Sequence, residues 1–127
     1  MRTDVLVIGS GLAGVMSAIV AADNGKKVTI LSKTNSLLSG NTPHAQGGII
    51  FKGINYNPDL LKSDILEAGA GSCWQPAIEE LINNGYKHVQ KWLLNRFKIP
   101  FEHVGNDLHL TSEAAHSEPR IIHVKDQ

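Results

Sequence analysis

Residues Val5–Gly14 read V-L-V-I-G-S-G-L-A-G. Four apolar residues in succession, Val5, Leu6, Val7 and Ile8, run straight into glycines at positions 9, 11 and 14, and an alanine-rich stretch follows. An unbroken apolar run of this length predicts a strand buried on both faces, as in a parallel sheet. Each glycine then has its own task. Gly9 permits the tight turn out of the strand, Gly11 keeps the main chain bare so that a pyrophosphate can approach, and Gly14 lets the following helix pack close to the sheet. The anion would rest on the unpaired N–H groups at the positive end of that helix. Three spaced glycines are a weak signal alone, and their position between a strand pattern and a helix pattern is what separates a dinucleotide fingerprint from chance.

Length and composition set the outer bounds. A chain of 127 residues predicts one domain, large enough to bury about two-thirds of its unfolded surface. Lys plus Arg and Asp plus Glu number 12 each, so no basic field points to nucleic acid and no polybasic anchor points to a membrane. The one long apolar stretch is broken by Asn24, Lys26 and Lys27 before it could span a bilayer. A first strand at Val5 leaves no room for a secretory leader. Cys73 is the single cysteine, which excludes an internal disulfide, fits a reducing cytoplasm and predicts a small buried apolar group.

From the motif onward, Leu12–Asp23 is expected to be a helix with Leu12, Val15, Met16, Ile19 and Val20 on its apolar stripe and alanines elsewhere. Gly25 is placed to cap its C-terminus. Lys27–Leu31 alternates like a second strand, so that Asp4–Leu31 forms a strand, helix, strand unit with parallel strands and a right-handed crossover. Thr34–Gly48 has no period and reads as a cofactor-lining loop, with Gly47-Gly48 opening a short strand. Pro58–Ala68 is helical up to the breaker Gly69-Ala70-Gly71. A second helical stretch runs from Pro76 to about Arg96, with Gly85 expected to break or bend it and with Trp74 and Trp92 expected in the core. Ile99–Val104 and Leu108–Thr111 are short strands around a Gly105-Asn106-Asp107 turn, and Arg120–Val124 resumes a strand pattern.

Two features limit the chemistry. The end of the second strand carries Ser32 and Lys33 where a nicotinamide-dependent dehydrogenase usually has the acid that holds the ribose. The six histidines, at 44, 88, 103, 109, 116 and 123, lack the spacing and the companion ligands of a metal site, so structural or surface roles are expected for them.

Several blocks in order carry a family resemblance: L-V-I-G-S-G-L-A-G at 6–14, V-T-I-L-S-K at 28–33, G-N-T-P-H-A-Q-G-G-I at 40–49, E-A-G-A-G-S-C at 67–73 and H-S-E-P-R-I-I-H-V-K-D at 116–126. Together they resemble the start of the succinate dehydrogenase and fumarate reductase flavoproteins, in particular the L-aspartate oxidase branch. The resemblance implies an α/β fold, the N-terminal part of a Rossmann-like FAD-binding domain followed by helices and short strands. It implies that Gly9, Ser10, Gly11, Ala13 and Gly14 hold the FAD diphosphate, that Ser32 and Lys33 lie near the adenosine end, and that Asn41, Thr42, Ala45, Gln46, Gly47 and Gly48 line the flavin. Asn41 stands where the respiratory members have the histidine that bonds covalently to FAD, so a dissociable cofactor is implied.

The implied reaction is hydride transfer from Cα of L-aspartate to the flavin, giving iminoaspartate, with oxygen or fumarate as acceptor and quinolinate synthase using the product on the route to NAD. Glu113 matches the glutamate of the family segment T-R-E-G-G-H-S, where it is expected to engage the substrate amino group. Here the segment reads Thr111-Ser112-Glu113-Ala114-Ala115-His116-Ser117. Two methyl groups replace two glycine hydrogens, and these would restrict the loop or crowd the ligand. Family members are several times longer, and their K-D-A-T-G continuation stops here at Lys125-Asp126-Gln127, so the chain is expected to be an N-terminal piece. Two further readings remain open: a non-catalytic remnant that binds a nucleotide or a complementary chain, and a small NAD(P)-binding module.

Overall fold

The computed structural model describes residues 2–36, 40–45 and 48–124. Two compact units divide the chain, Met1–Gln46 and Gly47–Gln127. In the first, strand β1 (Val5–Ile8) leads to helix α1 (Leu12–Asp23), strand β2 (Val28–Leu31) and a 3-10 turn at Thr42–His44. β1 and β2 are parallel, in a register that runs from Val5 opposite Val28 to Ile8 opposite Leu31. The start of the pair is tied by side chains: Lys27 N–H donates to Asp4 Oδ2 at 2.8 Å, and Thr3 Oγ1 donates to the Lys27 carbonyl at 2.7 Å. At its far end α1 is closed by a Schellman motif. Gly25 N–H reaches Ala22 O at 2.9 Å and Lys26 N–H reaches Ala21 O at 3.1 Å, with Gly25 at φ 73° as that turn requires.

Burial in this unit differs from the sequence-based expectation in two ways. β1 is not covered on both faces. Val5 and Val7 are half-buried toward α1, whereas Leu6 and Ile8 are exposed, Ile8 at 79%, and Leu31 is exposed beside Ile8 on the same face. One helix shields only one side of a two-stranded pair, and the opposite apolar side stays open. The apolar stripe of α1 is covered only in part: Val15, Met16 and Ile19 are half-buried, Leu12 and Val20 are exposed, and the buried residue is the small Ala18 beside the stripe. Gly14 explains this. A Cβ built there would lie 2.2 Å from Gly9 O and 3.3 Å from Val7 Cγ1, so the small-residue side of α1 is what meets β1.

The second unit contains strand β3 (Gly48–Ile50), helices α2 (Pro58–Ala68) and α3 (Gln75–His88), a π-helical segment (Val89–Arg96), and strands β4 (His103–Val104), β5 (Asp107–Leu108) and β6 (Ile121–His123). β3 pairs antiparallel with β6, and β4 with β5. Asn57 caps α2 by accepting from Leu60 N–H at 3.1 Å. Successive residues from Ile49 to Phe51, at the end of β3 and just past it, serve two cores. Ile49 and Phe51 pack with Val89, Phe101 and Ile122, while Ile50 packs with Leu61, Ile78 and Ile82, as a strand of period two between two layers must do. Cys73 is half-buried against the second core, in line with an apolar role.

Three expectations are corrected here. Gly85 does not break its helix, because an isolated glycine costs about 1 kcal/mol in a helix and the buried residues Ile78, Ile82 and Val89 on either side outweigh it. The geometry changes instead at Val89, where the helix widens to π, closed by Phe97 N–H donating to Trp92 O at 2.8 Å. Trp74 is not core: it is the N-cap residue of α3 and 74% exposed, whereas Trp92 is buried. The strands of the 99–111 region are also shorter than expected. They reduce to a tight hairpin in which Gly105 takes φ 64°, with Phe101 and Thr111 held by single bridges to Val124 and Ile121.

Gly14→Ala forces a methyl into main chain that cannot yield, and is expected to lower stability by about 1–3 kcal/mol in urea unfolding followed by far-UV circular dichroism. Unchanged stability would show that α1 does not approach β1 this closely.

Candidate functional site

The first cluster of candidate residues gathers at the N-terminus of α1. Gly9 leaves β1 at φ 108°, a left-handed conformation that a side chain disfavours. Gly11 is different. As N-cap of α1 it has φ -69° and ψ 174°, ordinary extended backbone open to any residue, and a Cβ there would meet only Thr42 Oγ1 at 3.4 Å. Its missing side chain is required neither by the backbone nor by packing. What it provides is space above the helix end.

The first turn of α1 holds no acidic residue, and the N-cap supplies no side-chain acceptor. Thr42, from the 3-10 turn, accepts from Leu12 N–H at 3.1 Å, and the main-chain donors beside it, at Ala13 and Gly14, face the helix end, where an anion is favoured. Ser10 Oγ lies 3.2 Å from Ser32 Oγ, which joins the glycine turn to the end of β2. Lys33, Asn41 and Ala45 are exposed around this end of the unit. Gln46 and Gly47 lie outside the described residues.

A second cluster forms in the other unit around Gly48 and Glu113. His123 stands opposite Gly48 across β3 and β6, and its Nε2 is 3.0 Å from Glu113 Oε1. A Cβ on Gly48 would fall 2.7 Å from His123 Cε1 and 2.9 Å from Glu113 Oε1. Glu113 also begins a β-turn, accepting from His116 N–H at 3.1 Å, and the third residue of that turn is Ala115 at φ 69°. This is the type II pattern that calls for glycine at the third position. Of the two alanines in this turn, Ala115 therefore carries the conformational cost, and Ala114 sits where any residue is accepted.

The loop bearing Glu113 is anchored by a buried carboxylate. Asp64 Oδ2 accepts from Ser117 N–H at 3.0 Å, Ser117 Oγ at 3.0 Å and Arg120 Nη1 at 2.8 Å. Arg120 is 1% exposed, and its Nη2 lies 3.0 Å from Glu118 Oε1, close as an ion pair but not aligned as a hydrogen bond. The Ser117 N–H holds the Asp64 carboxyl below the usual carboxylate range. Burial opposes this, and the Ser117 hydroxyl and the Arg120 guanidinium reinforce it.

Asp64, Ser117, Arg120 and His123 were not singled out from the sequence as site residues. Asp64 had a signal, an acid on the same helical stripe as Leu61 and Ile65, where a charge needs a buried partner. Among the described residues no group of three histidine, cysteine or acidic side chains could hold a metal ion, and no helix is long and apolar enough to cross a membrane.

Because the carboxyl of Asp64 titrates below its unfolded range, the stability it contributes is present above about pH 4 and is lost as pH falls through the lower folded value. Thermal melts between about pH 6 and 2.5 are expected to show Asp64→Asn less stable at the upper end, with a shallower acid-side decline than the parent; parallel declines would overturn this. Ala115→Gly is expected to raise stability by up to about 1 kcal/mol, strain relief of about 1–2 kcal/mol set against a looser unfolded chain. A lower urea midpoint would contradict the strained turn.

Comparison with known proteins matches residues 4–127 to the FAD binding domain family. The chain is similar to the L-aspartate oxidase of Halobacterium salinarum, with 39% identity over 123 residues, 96% of this chain and 23% of that protein. It is similar also to the L-aspartate oxidase of Yersinia pestis, with 40% identity over 131 residues, 98% of this chain and 24% of that protein. The Sdh1 complex of Mycobacterium smegmatis in the apo form shares the fold, with a TM-score of 0.85 at 23% identity over 98% of this chain and 21% of that chain. The chain thus spans about a quarter of the length of the curated relatives it matches. On the glycine cradle and these matches together, the chain belongs to the FAD binding domain family, among the flavoproteins that include the L-aspartate oxidases.

Proposed function

We propose that this chain forms the N-terminal, Rossmann-like part of the FAD-binding domain of a cytoplasmic L-aspartate oxidase, with residues 1–127 as a portion of that domain. The observation that carries the reading is Gly11: a glycine in ordinary backbone geometry, where a Cβ would touch only the Thr42 hydroxyl at 3.4 Å, directly over a helix N-terminus that has no acid of its own. A diphosphate fits there, between the main-chain donors of Ala13 and Gly14 and the hydroxyls of Ser10 and Thr42. Ser32 and Lys33 would meet the adenosine end by hydroxyl and cation in place of the absent carboxylate. Asn41, Thr42, Ala45, Gln46, Gly47 and Gly48 would lie along the flavin. An amide at position 41 has no nucleophilic nitrogen to bond the ring, which supports non-covalent retention.

Bound FAD would take up the hydride from Cα of L-aspartate. The chain's own part is to orient the substrate, and Glu113 is the group suited to its ammonium, since a half-exposed carboxylate accepts hydrogen bonds from a cation without being fully desolvated. Iminoaspartate would then pass to quinolinate synthase, with oxygen or fumarate as the final acceptor. A second reading, a binding module that does not turn over unaided, is favoured by the open apolar face of Leu6, Ile8 and Leu31, which needs a covering surface.

Titration of the purified chain with FAD, followed by flavin fluorescence, is expected to show saturable uptake. Gly11→Val is expected to weaken uptake by at least about tenfold, or roughly 1.4 kcal/mol, with an unchanged circular dichroism spectrum. Equal uptake by the variant, or tighter binding of NADPH than of FAD, would overturn the assignment. Under anaerobic conditions L-aspartate is expected to leave the flavin bound to the isolated chain unbleached; bleaching would favour the full oxidase over the binding module.

A further inference from the structure

The contact between Glu113 and His123 explains a glycine that backbone geometry does not. Gly48 has no left-handed φ, yet any Cβ there would overlap both the imidazole and the carboxylate. The space above β3 is therefore occupied by these two side chains together. His123 belongs to β6, a strand fixed by pairing with β3 and by the fully buried Ile122 beside it, whereas Glu113 belongs to a loop. The histidine is the rigid member of the pair and the glutamate the one that needs holding.

We propose that His123 is a positioning residue for Glu113. His123 Nε2 lies 3.0 Å from Glu113 Oε1, an ion-pair distance, and since a carboxylate can only accept, a proton on Nε2 is what would let the fixed ring hold Oε1. With Oε1 held, Oε2 is the oxygen turned to a ligand. For a substrate bearing an ammonium group, this fixes the acceptor before binding and so reduces the ordering required when the complex forms. Gly48 completes the device by leaving room for it. The substrate role rests on the reading of Glu113 given under Proposed function, while the pair itself does not.

The test begins with the chain labelled with 15N-histidine. Long-range proton–nitrogen correlations are expected to show His123 protonated at Nε2, with that resonance moving in Glu113→Ala while His88, in a different element, stays in place. An unprotonated Nε2, or a His123 spectrum indifferent to Glu113→Ala, overturns the proposal. In the flavin-loaded full-length enzyme, His123→Ala is expected to lower kcat/KM for L-aspartate by about tenfold to a hundredfold with FAD affinity unchanged. His123→Gln, whose amide N–H reaches the Nε2 position, is expected to recover most of that loss. Equal losses in the two variants, or a loss of FAD affinity matching the loss of rate, would show a merely structural histidine. Failure of FAD uptake with a responsive His123 spectrum would sink the oxidase reading and the substrate role with it. Normal uptake with an unresponsive spectrum would sink the positioning role alone.

Discussion

The main chain of Gly9 and the first turn of α1 come so close that no side chain could stand between them. A Cβ at Gly14 would lie 2.2 Å from the Gly9 carbonyl oxygen. That proximity seats the helix N-terminus directly at the end of β1 and turns the unpaired N–H groups of α1 toward the space above Gly11. The same constraint selects which side of α1 packs: Gly14 and Ala18 face the strand, and the larger Leu12 and Val20 are left outside. The geometry of this strand-to-helix turn is thus a consequence of backbone packing, with few specialised side chains needed.

The second unit depends on a different kind of constraint, a single carboxylate oxygen. Asp64 Oδ2 gathers a main-chain N–H, a hydroxyl and a guanidinium from the segment 117–120, and so ties α2 to the chain that enters β6. Arg120 is buried between this carboxylate and that of Glu118, so loss of Asp64 would leave a buried guanidinium with one ion-pair partner and no aligned hydrogen bond among the described residues. Its result is local order. Ser117 is fixed only a few residues from Glu113, and Arg120 directly precedes Ile121 and Ile122, whose strand carries His123 to its place over Gly48.

Sequence reading was strongest where a property is local. The limits of α1 follow from the glycine motif and from Gly25, and the start of α2 follows from Pro58 and Asp59. The Gly105 turn needs only neighbours to specify it. Readings that depended on who would cover whom fared less well: β1 was expected to be buried on both faces, Trp74 in a core, and Leu12 and Val20 on a packed stripe. Hydrophobicity says that a residue gains from burial, and leaves open whether a surface is present to bury it.

Gly48, Glu113 and His123 show the same division at the site. Residue type and order were enough to place a strand-to-helix turn at Gly9, Gly11 and Gly14, because a turn, a close approach and a helix end are properties of ten consecutive residues. That Glu113 would meet His123 over Gly48, or Asp64 would meet Arg120 across 56 positions, depends on strand register and on which helix face turns inward. Those are set by packing among distant segments, and only the folded arrangement decides them.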